Sequence, residues 1–268
     1  MIVAQLSDPH LAYTAEGARY GSEVALAQAA QHLLHLPSLP DAVVVTGDLA
    51  DQGRAEEYAR VRQVLSALPM PIYVIPGNHD DRSRMLEIFG TQGTQELPGF
   101  VQYVVDEGPL RLIALDTLIL GQDGGTLSAV QFAWLEDRLT QAPQHPTLLL
   151  MHHPPFLTGI PVTDAIGFQA TEALGQLVAR HPQIEGIAAG HVHSSMFRRF
   201  WGTVALTCGS TQHQLVPDLR RPLGFAAREE APTCLIHVWQ PQTGLVTLTS
   251  RIGEASPVEL LHDGQRWV

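Results

Sequence analysis

The chain has 268 residues, 45% hydrophobic and 16% charged, which excludes a disordered or fibrous protein and allows a sizeable core without a disulfide framework. It carries 16 Lys and Arg against 27 Asp and Glu, a formal net charge of −11, so most of its surface would repel a polymer of phosphates and a small substrate is expected. Its two cysteines, Cys208 and Cys234, stand far apart without a CxxC pair and read as thiols.

Residues 2–6 form an apolar run that reads as a strand. The run lacks a basic segment before it and is too short for a signal-peptide core. No apolar stretch approaches the roughly 20 residues that a membrane span needs. A cytoplasmic protein without a membrane partner is the expectation. Residues 22–36 place Val24, Leu26, Ala30, Leu33 and Leu34 at helical spacing. Residues 42–46 are a β-branched run, and 55–68 are helical with Tyr58, Val61, Val64, Leu65 and Leu68 on one face. Residues 72–75, 111–115, 147–151 and 184–189 read as further strands. A helix starts at Ser128, with Gln131 three residues on as a capping box, and another covers 169–180. Continuous runs such as Ala42-Val43-Val44-Val45 suit strands buried on both faces. The strand–helix alternation predicts an α/β sheet with helices outside. After residue 194 the pattern changes to short strands at 203–207, 234–239 and 246–250, with an Arg-, Pro- and Gly-rich loop at 217–232.

Residues able to hold a metal follow the strands one after another. They are Asp8 and His10, then Asp48, then Asn78, His79 and Asp80, then His152 and His153, and last His191 and His193. In open α/β sheets, ligands bind at the carboxyl ends of the strands. Any one of these groups alone would pass for turn residues. All five in order, each after an apolar run, point to a shared metal site. Adjacent residues on an extended segment point oppositely, so only one of His152 and His153 should reach that site. Asp80 and Asp81 are expected to cap the helix that follows them.

The set resembles the calcineurin-like metallophosphoesterase family. The motifs that carry the resemblance are Asp8-Pro9-His10, Gly47-Asp48-Leu49-Ala50-Asp51, Gly77-Asn78-His79-Asp80, His152 and Gly190-His191-Val192-His193. The resemblance implies a four-layer αββα sandwich of two mixed sheets flanked by helices, with a candidate C-terminal cap. It implies two metal ions. One would be held by Asp8, His10, Asp48 and His193, and the other by Asp48, Asn78, His152 and His191, so that Asp48 bridges. Imidazole, carboxylate and amide donors without thiolate suit Mn, Fe, Co or Zn. Two divalent ions outweigh the charges of Asp8, Asp48 and a bridging hydroxide, so the site should attract phosphate despite the acidic surface. Two-metal logic then implies attack by a metal-held hydroxide without a covalent enzyme intermediate. By the same resemblance His79 faces the substrate as general acid, oriented by Asp51, while Asn78 also meets the phosphate and His153 is not a ligand.

The branch follows from departures. Gln52 stands where phosphoprotein phosphatases carry Arg, and Asp51 where purple acid phosphatases carry Tyr. What remains is similar to the class III cyclic nucleotide phosphodiesterases and bacterial glycerophosphodiesterases. That likeness lies in Arg19-Tyr20-Gly21, Met151-His152-His153-Pro154-Pro155 and Gln212-His213-Gln214. It implies that Tyr20 and His213 line the substrate pocket. The expected substrate is a small phosphodiester, 3′,5′-cyclic AMP first. A glycerophosphodiester, or broad specificity that includes phosphomonoesters, is the alternative. A non-catalytic scaffold is the reading from another class, and the intact ligand set argues against it. Residues 1–193 are read as the metal core. Residues 194–268 are read as strands completing the sandwich, with 194–250 as a candidate cap through which the chain forms a dimer or higher homo-oligomer.

Overall fold

The structure is a computed structural model and describes residues 1–12, 21–93, 96–216, 226–228, 230–253 and 265. In chain order its elements are β1 (Ile2–Leu6), α1 (Ser22–Leu34), β2 (Ala42–Thr46), α2 (Ala55–Leu65), β3 (Ile72–Ile75) and α3 (Arg82–Phe89). Then come β4 (Tyr103–Val105), β5 (Arg111–Ala114), α4 (Ala129–Gln141), β6 (Thr147–Leu150), α5 (Pro161–Ala165), α6 (Thr171–Arg180) and β7 (Ile184–Ala189). The last are β8 (Met196–Phe200), β9 (Thr203–Thr207), β10 (Gln214–Leu215), β11 (Ala227–Arg228), β12 (Thr233–Gln240) and β13 (Gly244–Arg251). One sheet has the order β13-β12-β1-β2-β3 and the other β4-β5-β6-β7-β9-β8, while β10 and β11 form a small ribbon. Both sheets are mixed. β1, β2 and β3 run parallel, as do β5, β6, β7 and β9, and antiparallel strands flank each set.

Side-chain alternation along the strands sorts the interior into three apolar layers. Val43 and Val45 of β2 pack with Leu26, Leu33, Tyr58 and Val61 of α1 and α2. Val44, between them in sequence, joins Val3, Leu148, Leu150 and Ala188 in a layer between the two sheets. Leu149 points the other way, to Leu135 and Leu139 of α4 and Leu174 and Leu177 of α6. The result is the four-layer αββα sandwich that the motifs imply.

Helices α1 and α2 stop short of the apolar spacing that suggested 22–36 and 55–68. Pro37 and Pro69 lie just beyond and disfavour helical backbone at the residue before them. The capping box at Ser128 is present, with Gln131 Oε1 accepting from Ser128 N at 3.0 Å. The strand runs after residue 194 extend the sandwich: β8 and β9 add to one sheet, β12 and β13 to the other. Within 194–250, the stretch outside both main sheets is chiefly that between β9 and β12. Residues 217–225 of the expected loop lie outside the described residues.

Arg82, the first residue of α3, ties the two halves together. Its Nε donates to Asp116 Oδ2 at 2.6 Å and its Nη2 to Asp116 Oδ1 at 2.8 Å, just beyond β5. Asp116 is fully buried and also accepts from the backbone N–H of Val101 and Leu118. Removing one partner of a buried pair strands the other, at a cost of about 3–5 kcal/mol. Arg82→Met is therefore expected to lower the thermal midpoint by about 10 °C. A differential scan of the variant reads this directly, and an unchanged midpoint would show that the pair adds nothing.

Candidate metal centre

Strands β1, β2 and β3 of one sheet and β6 and β7 of the other end at a common edge. Immediately after these strands the backbone turns sharply. Asp8, His10, Asp48, His191 and His193 have positive φ of 50°, 40°, 51°, 72° and 45°. Left-handed backbone costs a non-glycine residue about 1–2 kcal/mol, and such residues cluster where function over-determines them. Among the described residues Trp201 is the one other non-glycine with positive φ. Gly77 and Gly190 allow the turns to close on each other. A Cβ on Gly77 would lie 2.1 Å from Asp48 Oδ1, and one on Gly190 would lie 2.1 Å from Ser7 Oγ.

These turns gather the seven expected ligands. Asp48 Oδ2 lies 3.4 Å from His10 Nε2 and 3.4 Å from His152 Nε2. Asn78 Oδ1 lies 3.2 Å from His152 Nε2 and 3.1 Å from His191 Nδ1. On the other side, His193 Nε2 lies 3.0 Å from His10 Nε2 and 3.5 Å from Asp8 Oδ1. Two clusters result, with Asp48 between them.

The histidine tautomers follow from their outer contacts. His152 Nδ1 sits 2.8 Å from Thr46 O, His191 Nε2 3.0 Å from Ile166 O, and His193 Nδ1 3.2 Å from His213 O. A carbonyl only accepts, so each of those nitrogens carries a proton, and in the neutral ring that binds metal the other presents a lone pair inward. Inward, lone pairs meet further acceptors: His152 Nε2 faces the oxygens of Asp48 and Asn78. Acceptors converging on acceptors in a buried site need a cation between them, and this donor set of imidazole, carboxylate and amide fits a pair of first-row metal ions. Ligand atoms of Asp8, His10 and His193 lie within 4.8 Å of one another, as do those of Asp8, Asp48 and His152. His153 is different. Its ring nitrogen also lies within 4.8 Å of those of His152 and His191, but Nε2 donates to Asp123 O at 3.0 Å and Nδ1 contacts Thr117 Oγ1 at 2.8 Å. Both its nitrogens are engaged by the protein.

Electrostatics agree with a cation site. Burial raises the Asp8 carboxyl to about 7, with the Asp48 charge adding to it and His152 opposing. Burial works against a charged His152, yet the carboxylates of Asp48 and Asp8 outweigh it and push the imidazole up to about 9. The same carboxylates would thus hold a proton where they can hold a metal. Burial keeps His10 neutral, pushed down to about 4, and His191 likewise to about 3. Neutral imidazole is the form that binds a metal.

The remaining expected residues are placed as follows. His79 lies at the rim, its ring 4.7 Å from that of His10, and its backbone N–H donates to Asp48 Oδ1 at 2.9 Å. Its Nδ1 bonds the Asp51 backbone carbonyl at 2.7 Å. The orienting group is thus the main chain of Asp51, because the Asp51 carboxylate turns to His10 Nδ1 at 3.8 Å. His213 stacks beside His193, with ring centroids 4.6 Å apart. Tyr20 lies outside the described residues. Asp80 is buried and does not cap α3. That part falls to Asp81, whose side chain accepts from Arg84 N at 3.0 Å. Asp80 instead accepts from the N–H groups of Leu49, Ala50 and Gly77 and from the Tyr58 hydroxyl, so it clamps the Asp48 turn to the Asn78 turn.

The family profile for calcineurin-like phosphoesterases matches residues 1–195. The chain belongs to the calcineurin-like phosphoesterase family. It is therefore a metallophosphoesterase, a hydrolase of phosphate esters with a dinuclear metal site. It is 35% identical over 257 residues to a probable glycerophosphodiester phosphodiesterase of Arcobacter nitrofigilis, covering 95% of this chain and 94% of that one. It is 32% identical to a probable cyclic nucleotide phosphodiesterase of Synechococcus sp., covering 86% and 88%. In fold it is similar to a dimetal phosphatase from Danio rerio, with TM-score 0.66 at 16% identity, covering 94% and 99%.

The site of this chain is braced by the Asp80 clamp, where four donors converge on one carboxylate. In Asp80→Asn an amide nitrogen replaces one oxygen and faces donors, and each buried donor left unsatisfied costs about 1–3 kcal/mol. The variant is expected to lose both thermal stability and metal content, read by calorimetry and by metal analysis of the purified protein. Full metal content would show that the two turns hold without it.

Proposed function

We propose that this chain is a dinuclear metal-dependent phosphodiesterase acting on a small phosphodiester. The observation that carries the reading is the shared Asp48 oxygen, equidistant from His10 Nε2 and His152 Nε2, each of which opens onto its own cluster. Asp8, His10, Asp48 and His193 would hold one ion, and Asp48, Asn78, His152 and His191 the other. A bound metal pair supplies Lewis acidity towards water and the phosphoryl oxygens. The protein's part is to bind, orient and move a proton. Because Nδ1 of His79 donates to the Asp51 carbonyl, Nε2 is the nitrogen left to face the leaving-group oxygen. Burial opposes charge on His79, but the Asp48 carboxylate and the Asp51 carbonyl raise its affinity for a proton, as suits a general acid. His213, beside His193, lines the approach to the site.

Two substrates stand within this class. The glycerophosphodiester reading has the support of relatives so named at 35% identity, one of them matched over 95% of this chain. The cyclic nucleotide reading has the support of relatives so named at 32% and 30% identity, one of them matched over 96% of this chain. We place the glycerophosphodiester first because the relatives so named are the more identical to this chain, at 35% against 32% and 30%. The acidic surface supports neither reading against the other, but it supports both against a nucleic acid polymer.

A panel on Mn-reconstituted protein tests the class and the substrate together. Bis-p-nitrophenyl phosphate should be cleaved faster than p-nitrophenyl phosphate, and glycerophosphocholine faster than 3′,5′-cyclic AMP. Preference for the monoester would sink the diesterase reading, and preference for the cyclic nucleotide would reverse the order of the two substrates. His79→Ala should lower kcat by about 10²–10⁴-fold with both metals retained. Loss of metal in that variant would make His79 a ligand.

A further inference from the structure

Gln5 interrupts the apolar run of β1 on the face it shares with Val3, and it is fully buried between the two sheets. A buried amide persists only if its hydrogen bonds are met. Gln5 Nε2 donates to Ala189 O at 2.8 Å and to Thr46 Oγ1 at 2.8 Å, while Oε1 sits 3.1 Å from His237 Nε2. The orientation of the amide is determined, because the Ala189 carbonyl can only accept. Oε1 therefore accepts, and His237 Nε2 carries the proton. His237 Nδ1 then takes the hydroxyl proton of Thr247 at 2.9 Å.

Onward from Gln5 the direction is equally determined. The Thr46 hydroxyl accepts from Gln5 and has one proton of its own, which goes to Ser7 Oγ at 2.7 Å rather than to the more distant Leu6 O at 3.4 Å. Ser7 Oγ lies 2.5 Å from Asp8 Oδ2, and in the ionised form that holds a metal this oxygen can only accept. Every donor from Thr247 through His237, Gln5, Thr46 and Ser7 points to one oxygen of Asp8. The other oxygen, Oδ1, lies 3.5 Å from His193 Nε2.

We propose that Gln5 and Thr46 are positioning residues that select which Asp8 oxygen meets a metal ion. The chain of donors occupies Oδ2 and turns Oδ1 to the cluster of His10 and His193. Through Ala189 the same amide holds the end of β7 against β1 and β2, at the strand ends that deliver ligands from both sheets. The effect falls first on the site that uses Asp8; His191 of the other site meets Asp8 through its backbone N–H, which lies 3.1 Å from both carboxylate oxygens and so does not choose between them. The inference rests on the metal-centre reading of these residues.

The test is titration of the metal-stripped, full-length chain with Mn(II) alone, following bound ion and thermal midpoint. Wild type should bind two ions. Thr46→Val keeps the shape and removes the hydroxyl, and should weaken one site about 10–100-fold with the other changed less than about twofold. Gln5→Met should give the same selective loss, and Thr46→Ser, which keeps the hydroxyl, should restore it. Ser7→Ala carries the same test should Thr46→Val fail to fold. Unchanged binding in the folded variants, or equal weakening of both sites, overturns the inference. A wild-type chain that binds no Mn(II) overturns instead the metal-centre reading beneath it.

Discussion

Asp48 is 2% exposed, and its carboxylate has imidazoles on two sides, each 3.4 Å from the same oxygen. Burying an ionised carboxylate is costly unless charge and hydrogen bonds compensate it. In this chain the charge of His152, with its hydrogen bond, overcomes the burial and holds Asp48 well below the usual carboxylate range. Its second oxygen takes the backbone N–H of His79. The rest of the site serves this placement. Gly77 lacks the side chain that would collide with Asp48, Asp80 clamps the two turns that meet over it, and the strands on either side bring an imidazole to each face.

The left-handed ligands show where the energy for that placement comes from. Five such residues amount to several kcal/mol of backbone strain, a sizeable share of a domain's net stability. The strain is held by a ladder of main-chain bonds continuing past the strand ends: Asp8 N to Gly47 O, His10 N to Asp48 O, Leu11 N to Leu49 O and Asp51 N to Leu11 O. These bonds keep β1 and β2 paired through the turn that would otherwise relax. Behind them the three apolar layers anchor every strand involved, so the turns cannot relieve strain by shifting the strands.

Much of this is legible in the sequence, for physical reasons that differ by residue. The layers were readable because strands buried on both faces are apolar at every position, as Ala42 to Val45 and Leu148 to Met151 are. The ligands were readable because they recur at strand ends with their glycines. Asp80 was misread because an Asp before a helix usually caps it, and nothing local tells a capping carboxylate from one turned inward onto another loop. Asp51 orients His79 through its backbone carbonyl, a group every residue has, so residue type alone does not mark that part of its role. Helix ends were set by Pro37 and Pro69 rather than by apolar spacing. The polar ties Gln5 and Thr46 left a signal that went unused: each is a polar residue at the inward parity of an apolar strand, a position that demands a buried partner.

Charge links the site to the kind of substrate it can take. The formal net charge of −11 works against binding an extended polyanion. A small diester presents a single phosphate and can reach the strand-end edge. There the neutral state of His10, His191 and His193 keeps the lone pairs available for metal, and the carboxylates of Asp8 and Asp48 are too few to cancel two divalent ions. Net negative charge on the chain and a metal-loaded strand-end edge together favour a ligand small enough to meet that edge alone, so charge bears on substrate size alongside pocket shape.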